Sequence, residues 1–357
     1  RAVAIYQAVM EETIEAYSQA DDSTGSLGGC IARAIGGLTD ALDRLLPVEQ
    51  QALFVYFLEQ APRREFMGFD WGWEMFEMAA SLVDGQERRA LLFAALDAVP
   101  APQVVTWGSA FQRNYHAEKA AFVKLDVIKR LDGEAAAFAF MRSQIEHDGF
   151  RQALIKEYVA RADLAEAIRL AQEGVALNEQ RRYPGLVNQY RALLLDIVQR
   201  QGDKAAAVRL MRQLWLGSRD TRYFELLKER TPPGDWPAVR EELIQESRHE
   251  AEAAWILARE GLWPRLLALV IPDKVALLET YRKELEARYP NEVALVYERA
   301  VEKMLEPVSN RDTYRDACTL LRRMKALGQE ARVQELVDAL IRQYPQRRAM
   351  IEELRRV

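Results

Sequence analysis

The chain has 357 residues, of which 49% are hydrophobic and 29% are charged, so it can bury a large core and does not have the composition of a disordered protein. Its formal net charge of −5 is small for this length, which removes the global electrostatic argument for a nucleic-acid or acidic-membrane binder. No apolar run approaches the roughly 20 residues that cross a bilayer. The two cysteines, Cys30 and Cys318, are far apart in sequence, which predicts a protein of the reducing cytoplasm.

Helical periodicity runs along almost the whole sequence. It is already present at Val3, Tyr6 and Met10, and the first residue is Arg1 rather than methionine, so we expect the chain to be part of a longer protein. Prolines and glycines separate apolar segments of helical period, and strand-like alternation is confined to short stretches such as residues 104–106. The predicted fold class is therefore all-α.

The first distinctive motif is the acidic turn Asp21 to Gly25. It resembles the start of a calcium loop, but a twelve-residue loop from Asp21 or Asp22 would need its bidentate glutamate at Ala32 or Arg33. We therefore predict an interhelical turn in which Asp or Ser caps the next helix.

An aromatic stretch follows within residues 66–76. Its apolar residues exceed what one face of a helix can bury, and Gly68 and Gly72 are interleaved with them. Two interpretations remain open, namely burial in the core of the first helical block and a partner-binding aromatic patch. The candidate interaction residues of this stretch are Phe69, Trp71 and Trp73.

An internal repeat occupies the middle of the chain. Residues 151–175 are echoed forty positions later by residues 191–215, with seven identities that include Asp163/Asp203 and Ala167/Ala207. Each copy reads as a helix, a break and a second helix, which is typical of a stacked array of helical hairpins. Two further segments, 187–200 and 333–341, carry apolar residues on one helical face.

The last 47 residues, 311–357, hold eleven Lys or Arg and seven Asp or Glu. A solvated cap at the end of the array and a phosphate-binding surface both fit this local excess of positive charge. We expect a cap in which Ile351 and Leu354 lie against the preceding helix and Arg347 and Arg348 face solvent. The candidate contact residues of this region are Arg322, Arg323, Arg347 and Arg348.

Motifs for catalysis or metal binding do not emerge from the sequence. The histidines His116, His147 and His249 lack zinc-ligand spacing, and neither cysteine lies in an activating motif. The glycines match no phosphate-binding loop. We therefore predict no catalytic, cofactor-binding or metal-binding residue in this chain.

Several stretches together resemble the helical region that follows the zinc finger in bacterial SWIM-type zinc-finger proteins. They cover much of the chain and comprise Asp21 to Gly25, Leu164 to Ile168, Tyr223 to Lys228, Ser309 to Tyr314, Tyr344 to Arg348, and Glu353 with Leu354. The resemblance implies binding of DNA or protein, often beside helicase-like proteins. It also implies a zinc module of the form Cys-x-Cys then Cys-x-His before the helices. This sequence has no such cluster, so zinc is expected only upstream of it.

These observations predict a right-handed α-solenoid of tetratricopeptide-like hairpins. A helical block at 1–133 would precede a hairpin array at 134–357 that ends in a cap. The predicted function is a non-catalytic scaffold that binds another protein, with a helicase-like protein as one expected partner. A nucleic-acid-binding region that uses the basic C-terminal end is the alternative, and an unrecognised enzyme is the third hypothesis.

Overall fold

The computed structural model describes residues 2–19, 22–99, 109–271, 274–307 and 310–357. Within these ranges the chain forms twenty-two α-helices and one short 3₁₀ helix, and no strand occurs there, which confirms the all-α prediction. Residues 104–106, Asp21 and Ser309 lie outside the described residues. None of the described helices is both long and apolar enough to span a bilayer.

The chain divides into two compact units, Arg1–Lys204 and Ala205–Val357. The boundary predicted near residue 133 falls within unit 1, between its seventh and eighth helices, and it stays a prediction together with the solenoid arrangement.

Unit 1 contains eleven α-helices in its described part. They are α1 (Ala2–Gln19), α2 (Ser26–Ala41), α3 (Pro47–Gln60), α4 (Arg64–Met67), α5 (Trp71–Ser81), α6 (Gln86–Asp97), α7 (Ser109–Asp132), α8 (Glu134–Ser143), α9 (Asp148–Ala160), α10 (Leu164–Gln180) and α11 (Pro184–Gln201), with the 3₁₀ helix at Leu42–Arg44. Helix α5 is central because it packs on α2, α3, α4, α6 and α7. Its buried face, which includes Trp73 and Phe76, joins Phe54 and Phe57 of α3 in one core.

Unit 2 contains the remaining helices. They are α12 (Lys204–Ser218), α13 (Thr221–Arg230), α14 (Trp236–Glu246), α15 (Glu250–Arg259), α16 (Trp263–Val270), α17 (Val275–Thr280), α18 (Arg282–Arg288), α19 (Pro290–Leu305), α20 (Arg311–Ala326), α21 (Glu330–Gln343) and α22 (Arg348–Leu354). A continuous apolar core extends from α15 to α22. Proline begins α3, α11 and α19, where its missing N–H costs no helical hydrogen bond.

The repeated segments share one kind of turn. Helices α9, α10 and α11 are each followed, within two positions, by a left-handed residue. These residues are Ala162, Arg182 and Gly202, and they are twenty positions apart. The next N–H donates to the carbonyl five residues back, with N–O distances of 2.9, 2.9 and 3.0 Å. This pattern satisfies carbonyls that the helix end leaves unpaired. The helix–break–helix prediction for both copies is therefore confirmed.

The paired turns give a stability prediction. Gly202→Ala should destabilise the chain by about 1 kcal/mol, because a Cβ is disfavoured at φ 76. Ala162→Gly, at the equivalent turn with φ 60, should be neutral or stabilising by up to about 1 kcal/mol. Urea unfolding of both variants measures the difference, and equal shifts of the same sign would contradict it.

Candidate interaction surface

The structure separates the aromatic stretch of residues 66–76 into a buried and an exposed part. Phe66, Met75 and Phe76 are fully buried, and Trp73 is only 1% exposed. Phe69 is 51% exposed, and Trp71 is half-buried. Core burial therefore accounts for most of the stretch, and Trp73 belongs to that core. Phe69 and Trp71 are left at the surface.

Local backbone geometry explains this division. The left-handed residue before α5 is Asp70, with φ 64, rather than one of the neighbouring glycines. Gly72 lies inside α5, where a Cβ would come within 2.4 Å of the carbonyl oxygen of Ala61. It is therefore required for the close approach of α5 to the end of α3. Phe69 lies before this turn and outside the helix that carries Trp73 into the core.

Tyr17 from α1 forms a surface cluster with Phe69 and Trp71, which we call the aromatic patch, and Phe69 is its exposed member. The ring centroids are 4.7 Å apart for Tyr17 and Phe69, 5.4 Å for Tyr17 and Trp71, and 5.1 Å for Phe69 and Trp71. Tyr17 meets both partners edge-on, a favoured aromatic geometry. The three rings thus pack on one another and leave the outer surface of Phe69 open to solvent.

The predicted turn that contains Asp22 lies beside this patch and holds the first turn of α2 in place. The Asp22 carboxylate accepts hydrogen bonds from the N–H groups of Leu27 (3.0 Å) and Gly28 (2.9 Å). An aspartate therefore caps α2, but it does so from three positions before the N-cap residue, which is Gly25 and not the predicted Asp or Ser. These backbone hydrogen bonds lower the pKa of Asp22. A Cβ on Gly28 would lie 3.7 Å from both the Trp71 and the Tyr17 rings. The turn therefore brings the start of α2 against the aromatic patch.

Three carboxylates follow Phe69 at the start of α5, and we call Asp70, Glu74 and Glu77 the acidic row. Partial desolvation, followed by the nearby charges of Glu77 and Asp70, raises the pKa of Glu74, and Lys119 of α7 partly opposes this effect. No member of the row forms an ion pair within the described residues. Asp70 accepts a hydrogen bond from the hydroxyl of Tyr115 at 2.6 Å. Burial and this bond raise the pKa of Tyr115 to about 12.

Behind the patch, Trp73 contacts His116 edge-on, with ring centroids 5.5 Å apart. The indole Nε1 and the imidazole Nδ1 are buried, and neither has a hydrogen-bond partner among the described residues. Burial lowers the pKa of His116, because charging the imidazole there costs solvation. The neutral ring is therefore the form that fits the fold.

The lowered pKa of His116 predicts that the stability of the fold depends on pH. Below about pH 6.5, the unfolded chain binds a proton at His116 more readily than the folded chain, so stability falls as the pH decreases toward the lowered folded pKa. His116→Gln should reduce this loss. His249→Gln, at an exposed position of unit 2, should leave it unchanged. Urea midpoints at about pH 7.5 and about pH 5.5 test the difference in slope, and equal slopes for wild type and His116→Gln would reject it.

The four arginines predicted from the C-terminal segment have different environments. Arg322 and Arg348 are exposed. Arg323 forms an ion pair with Glu279 and lies over the Tyr297 ring. Arg347 does not face solvent as predicted. Its guanidinium donates to the carbonyl oxygens of Leu305, Glu306 (2.9 Å) and Pro307 (3.1 Å) and lies 3.9 Å from the Tyr344 ring centroid.

The final helix packs differently from the prediction. Met350 and Leu354 are buried, Ile351 is partly buried, and the main partner of α22 is α20 rather than the preceding helix α21. Glu353 is also buried, and its carboxylate receives Arg311 of α20 at 2.9 Å and Arg356 at 3.2 Å. Sequence periodicity identified Ile351 and Leu354 as apolar packing residues but not the helix that they contact, and it gave no signal for this buried ion-pair cluster.

Most basic side chains of residues 311–357 thus have a partner within the chain. Four of the eleven basic residues at 311–357 lack a partner within the described part of unit 2, namely Arg322, Arg342, Arg348 and Arg355. The other seven bind carboxylates or backbone carbonyls. The charge count therefore overstates what this end of the chain offers to a phosphate backbone.

Ion pairs line two cavities of the described residues. A groove of about 670 Å³ in unit 2 has a mostly apolar lining with the ion pair of Lys274 and Glu250 at its edge. A cavity of about 440 Å³ in unit 1 is lined by His116, His147 and the ion pair of Lys124 and Asp97. No serine or cysteine nucleophile is among their described lining residues.

The described residues also contain no group of three or more His, Cys, Asp or Glu side chains placed to hold a metal. Comparison of the chain with protein families, curated proteins and solved structures finds no match.

Proposed function

We propose that this chain is a non-catalytic interaction scaffold and that the aromatic patch is its protein-binding surface. The observation that carries this proposal is the exposure of Phe69 beside Trp71 and Tyr17 on a rigid support. That support consists of the capped start of α2 and the close contact of α5 with the end of α3. Aromatic side chains on such supports contribute much of the binding energy at protein interfaces, because they bury large areas at low entropic cost.

The wider architecture that we propose is a right-handed array of tetratricopeptide-like hairpins. The twenty-residue recurrence of the turns at Ala162, Arg182 and Gly202 supports it, as does the packing of α9 on α10 and of α10 on α11. The resemblance to SWIM-type proteins agrees with a docking role in the cytoplasm beside a zinc module and a helicase-like partner.

A peptide-display selection against the full chain tests the binding role. Enriched peptides should bind the wild type and lose most of their affinity for Phe69→Ala and Trp71→Ala. Tyr183→Ala is the matched control, because Tyr183 is an aromatic residue with 44% exposure in unit 1 outside the patch. Peptides that bind all variants equally, or a selection without enrichment, would count against the proposal.

Nucleic-acid binding through the C-terminal segment is the alternative proposal. The four unpartnered arginines limit the number of phosphates that this segment could contact. If all four contacted phosphates, the slope of log affinity against log salt would be about −3.6 for duplex DNA. Binding of labelled duplex DNA with such a slope, lost in Arg348→Glu with Arg355→Glu, would favour this alternative.

A further inference from the structure

We infer that the aromatic patch and the acidic row together form a docking surface for an arginine-containing basic segment of a partner protein. This inference rests on the proposed scaffold function and specifies the chemistry of the partner. It is carried by two features that meet at one place, an open aromatic face and a set of carboxylates without ion-pair partners.

The geometry joins the two features directly. Asp70 lies between Phe69 and Trp71 in the chain, and Glu74 follows Trp71 by three positions, so Trp71 and Glu74 are neighbours on the surface of α5. Glu77 lies one further turn along the helix. A long basic side chain on the exposed ring of Phe69 is therefore expected to reach Asp70 and Glu74, and Glu77 adds negative charge beside Glu74.

Charge complementarity favours a basic partner segment at the acidic row. The acidic row carries three carboxylates, and Lys119, whose ammonium lies 5.6 Å from the Tyr115 ring centroid, is the cation that opposes their effect on Glu74. Elsewhere in unit 1 exposed carboxylates often have arginine partners, as in the pairs Arg169–Glu173 and Arg191–Glu179. A partner cation would relieve the repulsion within the row, whereas an acidic segment would increase it.

Arginine fits this surface better than lysine. Its planar guanidinium stacks on an aromatic face and donates in-plane hydrogen bonds to carboxylates at the same time. The three rings of the patch are too close together to enclose a cation, with centroid separations of 5.4 Å or less. The contact must therefore be made on the outer face of Phe69.

The test uses the full chain and a short fluorescein-labelled peptide of arginine, leucine and alanine. Matched peptides replace arginine with lysine or with glutamate. Fluorescence anisotropy should show binding of the arginine peptide, several-fold weaker binding of the lysine peptide, and no binding of the glutamate peptide. Phe69→Ala and the pair Glu74→Gln with Glu77→Gln should each weaken binding of the arginine peptide about tenfold.

Two controls make the result specific. Tyr183→Ala removes a similarly exposed ring, and Glu229→Gln with Glu302→Gln removes two exposed charges of unit 2. Neither should change the affinity for the arginine peptide. Unchanged melting of each variant establishes that the fold is retained.

Failure of this inference is distinguishable from failure of the scaffold proposal. If display-selected peptides depend on Phe69 but are neutral or acidic, the scaffold proposal stands and the basic partner is rejected. Equal binding of the arginine peptide to wild type and Phe69→Ala also rejects the inference. So does concentration-dependent self-association that Phe69→Ala abolishes, since the occupant would then be a second copy of the chain.

Discussion

Replacing Arg347 with alanine should lower the free energy of unfolding of the region from α19 to α22 by about 2 to 3 kcal/mol. The guanidinium contacts three carbonyl oxygens at the end of α19 and stacks on Tyr344. A cation at a helix C-terminus satisfies carbonyls that the helix leaves unpaired and is favoured by the helix dipole. Hydrogen bonds with a charged partner contribute more than neutral ones. Urea unfolding of the full chain measures the change.

Arg348 supplies a neighbouring control. It is exposed and has no partner within the described residues, so Arg348→Ala should change stability by less than about 0.5 kcal/mol. Arg347→Lys should recover less than half of the loss, because a single ammonium cannot span three carbonyls as the guanidinium does. Equal effects of the two alanine substitutions would show that the contacts of Arg347 do not stabilise the fold.

The helices could be predicted from the local periodicity of apolar residues in the sequence. The helix predicted at 187–200 is observed as Pro184–Gln201, and the one at 333–341 as Glu330–Gln343. Their predicted apolar residues, such as Tyr190 and Leu336, are buried, except Ile341, which is partly buried. Both segments are amphipathic with clear start or stop signals, so local pattern and tertiary packing agree.

The candidate surface was less predictable, because its form depends on contacts between distant segments. The choice between exposed Phe69 and buried Trp73 is set by the left-handed turn at Asp70, whereas sequence reading would place such a turn at a glycine. Tyr17 joins the patch from a helix more than forty residues earlier. No local pattern links these residues.

Charge counting in the C-terminal segment did not reveal which arginines have partners, for a related reason. The partners of Arg323 and Arg332 are Glu279 and Glu298, which lie outside the segment that was counted. Arg347 donates its hydrogen bonds to backbone carbonyls, which carry no formal charge and so do not appear in a charge count. A local excess of arginine therefore indicates a binding surface only after packing has shown which arginines remain free.

Glu353→Ala should destabilise the region from α19 to α22 by about 2 to 4 kcal/mol. The side chain of Glu353 is 5% exposed, and its carboxylate receives Arg311 at 2.9 Å and Arg356 at 3.2 Å. Its removal leaves these arginines, together with Arg315 at 3.8 Å, as neighbouring like charges without their shared anion. Removing one partner of a buried ion pair costs about 3 to 5 kcal/mol. The arginines are about half exposed here, so water offsets part of that cost.

Glu352 is the matched control for this prediction. It is the adjacent residue and also pairs with Arg311, but its side chain is 59% exposed, so Glu352→Ala should cost less than about 1 kcal/mol. A double-mutant cycle of Glu353→Ala with Arg311→Ala should show a coupling energy of about 1 kcal/mol or more. If Glu352→Ala and Glu353→Ala have equal effects on stability, the burial of Glu353 does not strengthen its ion pair with Arg311. Helix α22 would then be held on α20 by the apolar contacts of Met350 and Leu354 alone.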